Sequence, residues 1–207
     1  MLKEARELCG GRIISHNVRA LSHGYLRYAR YFHNKGYEPD LRLCRFLIDL
    51  NKSKDRLRLD MRKRKRRNLA RALEKDCLIE DEGINQTNLR KFYESYQRVM
   101  DRVRGHTYPF SFFSSMMNDV PDRLKIFGAS LGGKDVGRIL FLLDKEQCSV
   151  HAFLSGVDES GFKCYPSELL YWHAIEWAAE NDYEKYDFGG AASDFDDGVF
   201  RFKEGFG

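Results

Sequence analysis

The stretch LKIFGASLGGKDVGRILFLLDKEQCSVHAFLS, Leu124 to Ser155, decides the fold. Leu124 to Leu131 reads as a strand, and Gly132-Gly133-Lys134-Asp135 as a hairpin turn, because paired glycines accept the positive φ that a tight turn requires. Val136 to Leu143 follows, and its run Ile139-Leu140-Phe141-Leu142-Leu143 predicts a central strand covered on both faces. Asp144 to Gln147 makes a second turn and Cys148 to Ser155 a third strand. Residues 124–156 therefore read as an antiparallel meander of three strands.

Downstream, the loop Gly156 to Pro166 leads to a helix beginning near Ser167, a serine suited to the N-cap, with Glu168 in the first turn where the helix dipole favours an anion. Leu170, Tyr171, Ala174, Ile175, Trp177 and Ala178 give this helix a broad apolar face, and His173, Glu176 and Glu180 share the opposite one. The helix ends near Asn181, and Lys185 to Phe188 is a strand. Upstream, Cys44 to Leu50 is strand-like. Asn51 or Ser53 then caps a long helix through about Lys75, and Gln86 to Val103 is a second helix, with Leu89, Phe92, Tyr93 and Tyr96 at helical spacing. The class is α/β (α+β), with a mixed central sheet and flanking helices.

Composition narrows the function. Apolar residues make up 43% of the 207, enough for a packed domain, and the formal charge of +4 is unevenly spread. No run is long and apolar enough to span a membrane, and residues 1–14 lack the pattern of a signal peptide. Five cysteines, odd in number and without C-x-x-C, fit reduced thiols in a cytoplasm. Six histidines show no metal spacing, so no metal is expected. There is no Ser-His-Asp or Cys-His constellation to suggest a covalent intermediate.

Most of the functional signal lies in Tyr186 to Gly207, YDFGGAASDFDDGVFRFKEGFG. A strand runs into Gly189-Gly190, where missing side chains let a ligand or another backbone approach. Lys203, between Phe202 and the Gly205-Phe206 pair, sets one cation beside an apolar wall. The run Arg62-Lys63-Arg64-Lys65-Arg66-Arg67 places six cations in succession on a helix, covering every face of it, and the apolar line Leu57, Met61, Leu69, Leu73 passes through Lys65. It reads either as an anion or RNA groove or as a solvated helix with a snorkelling Lys65.

With Y165-P-S-E-L-L-Y-W-H-A-I-E-W-A178, Y186-D-F-G-G190 and G198-V-F-R-F-K-E-G-F-G207, the chain resembles the Fem-type peptidyltransferases and their GNAT-like relatives. Weaker similarity covers Phe46 to Leu50 and Tyr108 to Phe113, so the resemblance spans roughly residues 44–207. It implies a GNAT-like sheet whose last two core strands splay apart to admit an acyl donor. It also implies transfer of an aminoacyl or acyl group to an amine on a peptidoglycan-like, cell-envelope precursor. The co-substrate is then aminoacyl-tRNA, as in Fem-type enzymes, or acyl-CoA, as in ordinary GNATs.

The loop Ser155 to Ser167 lacks the R/Q-x-x-G-x-G/A spacing that grips a CoA pyrophosphate, which favours tRNA. Residues 2–15 echo 174–188, and Tyr31 to Tyr37 echo Phe200 to Phe206. Residues 1–43 are therefore expected to be the tail of a truncated first half and 44–207 the acyltransferase domain, itself lacking closing strands. The missing half or a homo-oligomer partner would complete the site.

Lys203, Tyr171 and Asp187 are the catalytic candidates. Lys203 would meet a phosphate of donor or acceptor or stay a solvated surface lysine, Tyr171 would donate a proton or simply pack in the core, and Asp187 would face the cleft or pair with a basic residue, the developing oxyanion being left to backbone N–H groups of the splayed strands. Tyr165, Ser167, Gly189, Gly190, Phe202, Arg104 and Tyr108 are the substrate-binding candidates, and Arg62 to Arg67 the anion-binding ones. Two rival readings stand: an acyl-CoA-dependent N-acyltransferase of a small amine, and a nucleic-acid-binding or inactive fragment that uses the basic helix.

Overall fold

The computed structural model describes residues 30–38, 43–75, 77–157 and 159–207. The chain divides into two units, Met1–Asp40 and Leu41–Gly207. In the first, the described residues make one short helical stretch, 30–34, whose Phe32 packs edge-on against Tyr31 and Tyr37. The proposed echo of 174–188 in residues 2–15 lies outside the described residues.

In the second unit the order is β1 (Leu43–Asp49), α1 (Lys54–Asp60), α2 (Lys63–Glu74), β2 (Cys77–Glu82), α3 (Gln86–Val103), α4 (Phe110–Asp119), β3 (Leu124–Leu131), β4 (Lys134–Asp144), β5 (Ser149–Val157), α5 (Pro166–Glu180), β6 (Lys185–Ala192) and α6 (Gly198–Glu204). The six strands form one mixed sheet in the order β1-β6-β5-β4-β3-β2. The expected meander is β3-β4-β5, with β4 in the interior of the sheet and Ile139, Leu140 and Phe141 fully buried. Helix α5 returns the chain to β6, which pairs parallel to β5.

Each face of the sheet carries a core. On one, α5 and α2 cover Phe127, Ile139, Phe141, Val150, Tyr186 and Phe188. On the other, α3 and α4 cover Leu124, Ile126 and Leu140 with Phe92, Tyr96 and Phe113. Leu169 and Trp172 of α5 are buried along with Leu170, Ala174, Ile175 and Ala178 of the expected apolar face, while Tyr171 and Trp177 are half-buried, because the helix is packed between the sheet and α2.

Two expectations are corrected. The long helix to Lys75 is two helices. Met61 and Arg62 are extended, the Arg62 N–H donates to the Gly205 carbonyl at 2.9 Å, and the Arg66 guanidinium holds the freed carbonyls of Leu59 and Met61 at 2.7 and 2.6 Å. The cap of α1 is Ser53, whose Oγ accepts the Arg56 N–H. Strand β2, the other sheet edge, carries no strand signal in its sequence CLIEDE, because Glu80 and Asp81 are acids that an exposed edge tolerates and Glu82 is an acid buried against Arg138. Helix α4 is likewise unmarked in the sequence. Last, Ser167 is not the N-cap of α5. Tyr165 takes that place at φ 55°, Pro166 follows at the first helical position where its missing N–H costs nothing, and Ser167 lies inside the first turn.

Candidate active site

Strands β5 and β6 pair over only three positions, Ser149–Lys185, Val150–Tyr186 and His151–Asp187, although both strands continue. The reason for the divergence is local. Past this point β5 carries an extra residue at Phe153 relative to β4, and β6 carries one at Phe188–Gly189 relative to β1. A bulge bends its strand and raises its twist, and two bulges side by side open a wedge. Gly189 supplies the φ of +72° that the β6 bulge uses, which a residue with a Cβ adopts only under strain.

At the vertex of the wedge sits a charged cluster. Asp187 alternates with Tyr186 and Phe188 and so points to the opposite face of the sheet from those aromatic rings. Its carboxylate accepts the Arg45 Nε–H at 2.7 Å and the Gly189 N–H at 2.7 Å, and its Oδ2 lies 3.0 Å from His151 Nδ1. Burial works against the charge, but the hydrogen bonds from His151, Arg45 and Gly189 outweigh it and hold the carboxyl well below the usual carboxylate range.

The His151 side chain is 32% exposed and Asp187 only 4%, so a reactant can reach the imidazole but not the carboxylate. The imidazole packs over Gly189, where an added Cβ would stand 3.2 Å from Cε1. With Nδ1 committed to Asp187, Nε2 is the nitrogen left for chemistry, and among the described residues it has no hydrogen bond.

Lys203 closes one side of the cluster. Its ammonium donates to the Gly190 carbonyl at 2.7 Å. Burial lowers its pKa, and the charges of Asp187, Cys44 and Asp197 partly restore it. The structure thus brings together Lys203, Asp187, Gly189 and Gly190.

Tyr171 comes up from α5 on the other face, in contact with Phe188, Phe202 and Phe206. Burial pushes its pKa up to about 12 against an opposing hydrogen bond with Ser155, a residue of β5 beyond the vertex. The neighbouring Tyr186 hydroxyl is fully buried and has no hydrogen-bond partner among the described residues. Phe202 serves as the face on which Lys65 rests, 3.3 Å from the ring centroid.

The remaining candidates lie elsewhere. The Tyr165 hydroxyl accepts a hydrogen bond from Arg71 at 3.4 Å, turned toward α2. Arg104 is the left-handed C-cap of α3, and Tyr108 stacks on Phe112 at 4.9 Å while its N–H donates to Tyr96 Oη at 3.3 Å. Among the described residues, no hydrogen bond or ring contact ties Arg104 or Tyr108 to the vertex.

The basic run is not one groove. Lys65 is buried, 3.1 Å from Glu168, which also accepts from Asn68 at 3.0 Å. Glu168 therefore answers a buried cation as well as the helix dipole. Arg66 is engaged on carbonyls and Arg62 on Glu204, leaving Lys63, Arg64 and Arg67 exposed without a described ion pair.

Sequence reading missed His151 and Arg45. No motif marks them. His151 meets Asp187 only through the parallel register, and Arg45 only through the antiparallel pairing of β1. The legible signal was Gly189-Gly190. Among the described residues no group of His, Cys, Asp and Glu could hold a metal ion, and no helix is long and apolar enough to cross a membrane.

Comparison with known proteins agrees with this fold. The family described as acetyltransferase (GNAT) domain matches residues 56–204. Among solved structures, FemX superposes with a TM-score of 0.72 at 13% identity, over 99% of this chain and 72% of its own. L-PGS from Bacillus licheniformis gives 0.58 at 14% identity, over 87% and 61%. A GCN5-related N-acetyltransferase of Sphaerobacter thermophilus gives 0.55 at 14%, over 90% and 53%. The chain thus spans less than two thirds of the latter two. A search of curated proteins finds no match.

Proposed function

The chain belongs to the acetyltransferase (GNAT) domain family, of acyltransferase type, and we propose that it moves an aminoacyl or acyl group to an amine on a cell-envelope precursor. The observation that carries this reading is the wedge between β5 and β6 with His151 at its vertex. An acyl donor lying in the wedge meets the unpaired backbone N–H groups of the diverging strands, which suit a carbonyl that becomes an oxyanion. The attacking amine must lose a proton. His151 Nε2 takes it, and Asp187, fixed by Arg45 and the Gly189 N–H, orients the imidazole and stabilises the imidazolium. The new C–N bond forms as the C–O bond of an ester donor, or the C–S bond of a thioester, breaks, and the proton passes to the leaving oxygen or sulfur. Lys203 adds a cation to the same wall. Tyr171, its hydroxyl kept protonated, offers a hydrogen bond from the opposite face.

Aminoacyl-tRNA is the donor we favour. The segment Glu159–Cys164 forms a 3-10 turn ahead of the left-handed Tyr165, with a proline at the first helical position, so the start of α5 offers few consecutive amides to a pyrophosphate. A cytoplasmic location belongs to the same proposal. The test is transfer to a peptidoglycan precursor bearing a free amine, with radiolabelled aminoacyl-tRNA and radiolabelled acetyl-CoA offered separately. Product from the charged tRNA alone is the expected result. Product from acetyl-CoA alone would instead make the chain an ordinary CoA-dependent N-acyltransferase.

A further inference from the structure

Between the start of α2 and α6 lies a concavity of about 380 Å³, lined by Arg62, Arg64, Lys65, Phe195, Arg201, Glu204 and Gly205. Four of these residues are cations and one is an acid. Arg62 is paired with Glu204, Lys65 with Glu168, and Arg201 with Asp196, while Arg64 has no carboxylate partner among the described residues. The pocket therefore keeps one uncompensated positive charge. It also has guanidinium groups held in place: Arg201 Nε donates to the Phe195 carbonyl at 2.6 Å. Anchoring of this kind lowers the entropy lost when a guanidinium grips an oxyanion. At the rim, Phe195 is 76% exposed, an aromatic ring set beside cations and steadied edge-on by Phe200 at 5.1 Å. Exposed aromatic face and adjoining guanidinium together match a nucleobase and its phosphate.

The pocket's inner wall is one aromatic layer away from the wedge. Lys65 rests on Phe202, Phe202 touches Phe206, and Phe206 touches Phe188 of β6 at 4.9 Å. We infer that this pocket binds a nucleoside phosphate, the carrier part of the acyl donor, with Arg64 and Arg201 on the phosphate and Phe195 against the base. The assignment of the ligand to the donor rests on the acyl-transfer reading above, whereas the pocket's chemistry does not. Two carriers share that chemistry, the 3′ end of an RNA and the nucleotide of a coenzyme.

The experiment uses the full chain, fluorescence anisotropy with a fluorescein-labelled four-nucleotide RNA ending in adenosine, and competition by adenosine 3′,5′-bisphosphate. Binding at low salt is expected to weaken about tenfold in Arg64→Glu, with a shallower salt dependence, and Arg64→Gln should fall between that variant and the parent. Lys145→Glu, at an exposed turn between β4 and β5, should bind as the parent does. Displacement of the RNA by the bisphosphate supports a nucleotide carrier, and resistance to it supports a polynucleotide one. Equal affinity of Arg64→Glu and parent, or no binding by the parent of either probe, overturns the pocket. If both probes bind through Arg64 yet no donor supports transfer, the acyl-transfer reading fails and the pocket stands.

Discussion

Lys65 and Glu168 show how a single buried charge is tolerated. Burial lowers the pKa of Lys65 to about 8, the attraction of Glu168 only partly opposing it. A lysine with a folded pKa below its unfolded value of about 10.4 binds fewer protons folded than unfolded between those limits, so its contribution to stability rises with pH across roughly 8 to 10. Urea unfolding from pH 7 to 10 should show that rise, and Lys65→Met should abolish it. At pH 7 the single change is expected to cost on the order of 3 kcal/mol, because it strands Glu168 in the core. Lys65→Met combined with Glu168→Leu should recover most of that loss. A double variant as unstable as the single would mean that the pair contributes a net stabilisation the burial argument denies. None of this could be read from RKRKRR, in which Lys65 differs from its neighbours only by its place on the apolar line.

At the scale of elements, glycines decide which surfaces meet. Helix α3 lies on β5 because Gly156 has no side chain: an added Cβ would stand 2.6 Å from the Tyr96 nitrogen and 2.7 Å from the Ser95 carbonyl carbon. Backbone of a helix cannot yield as a side-chain tip can. Gly156→Ala is therefore expected to destabilise by about 3 kcal/mol, seen as a lower urea midpoint. A midpoint unchanged within error would show that α3 can lift from the sheet freely. The strands and helices that sequence revealed were those with strong periodicity or a glycine turn, the meander and α3 among them. Those it hid were β2, whose exposed edge is acidic, and the break at Met61–Arg62, whose cause is the carbonyl of Gly205, far along the chain. For the site the division is alike. Asp187, Gly189, Gly190 and Lys203 lie in one readable stretch, while His151 and Arg45 join them only through strand pairing.

For the whole molecule, the sheet supports two cores and leaves the β5–β6 wedge between them, with an ionised Asp187 and a reachable His151 at its vertex. Membership of the GNAT family and superposition on FemX agree with the sheet and its flanking helices. The central claim is that His151 removes the proton of the attacking amine. The most direct measurement is kcat/KM for transfer to an amine by the parent chain and by His151→Gln, with folding of both checked by urea unfolding. The glutamine variant should lose about 10²- to 10⁴-fold in rate while unfolding at the parent's urea midpoint. A His151→Gln variant that keeps the parent's rate would contradict the account.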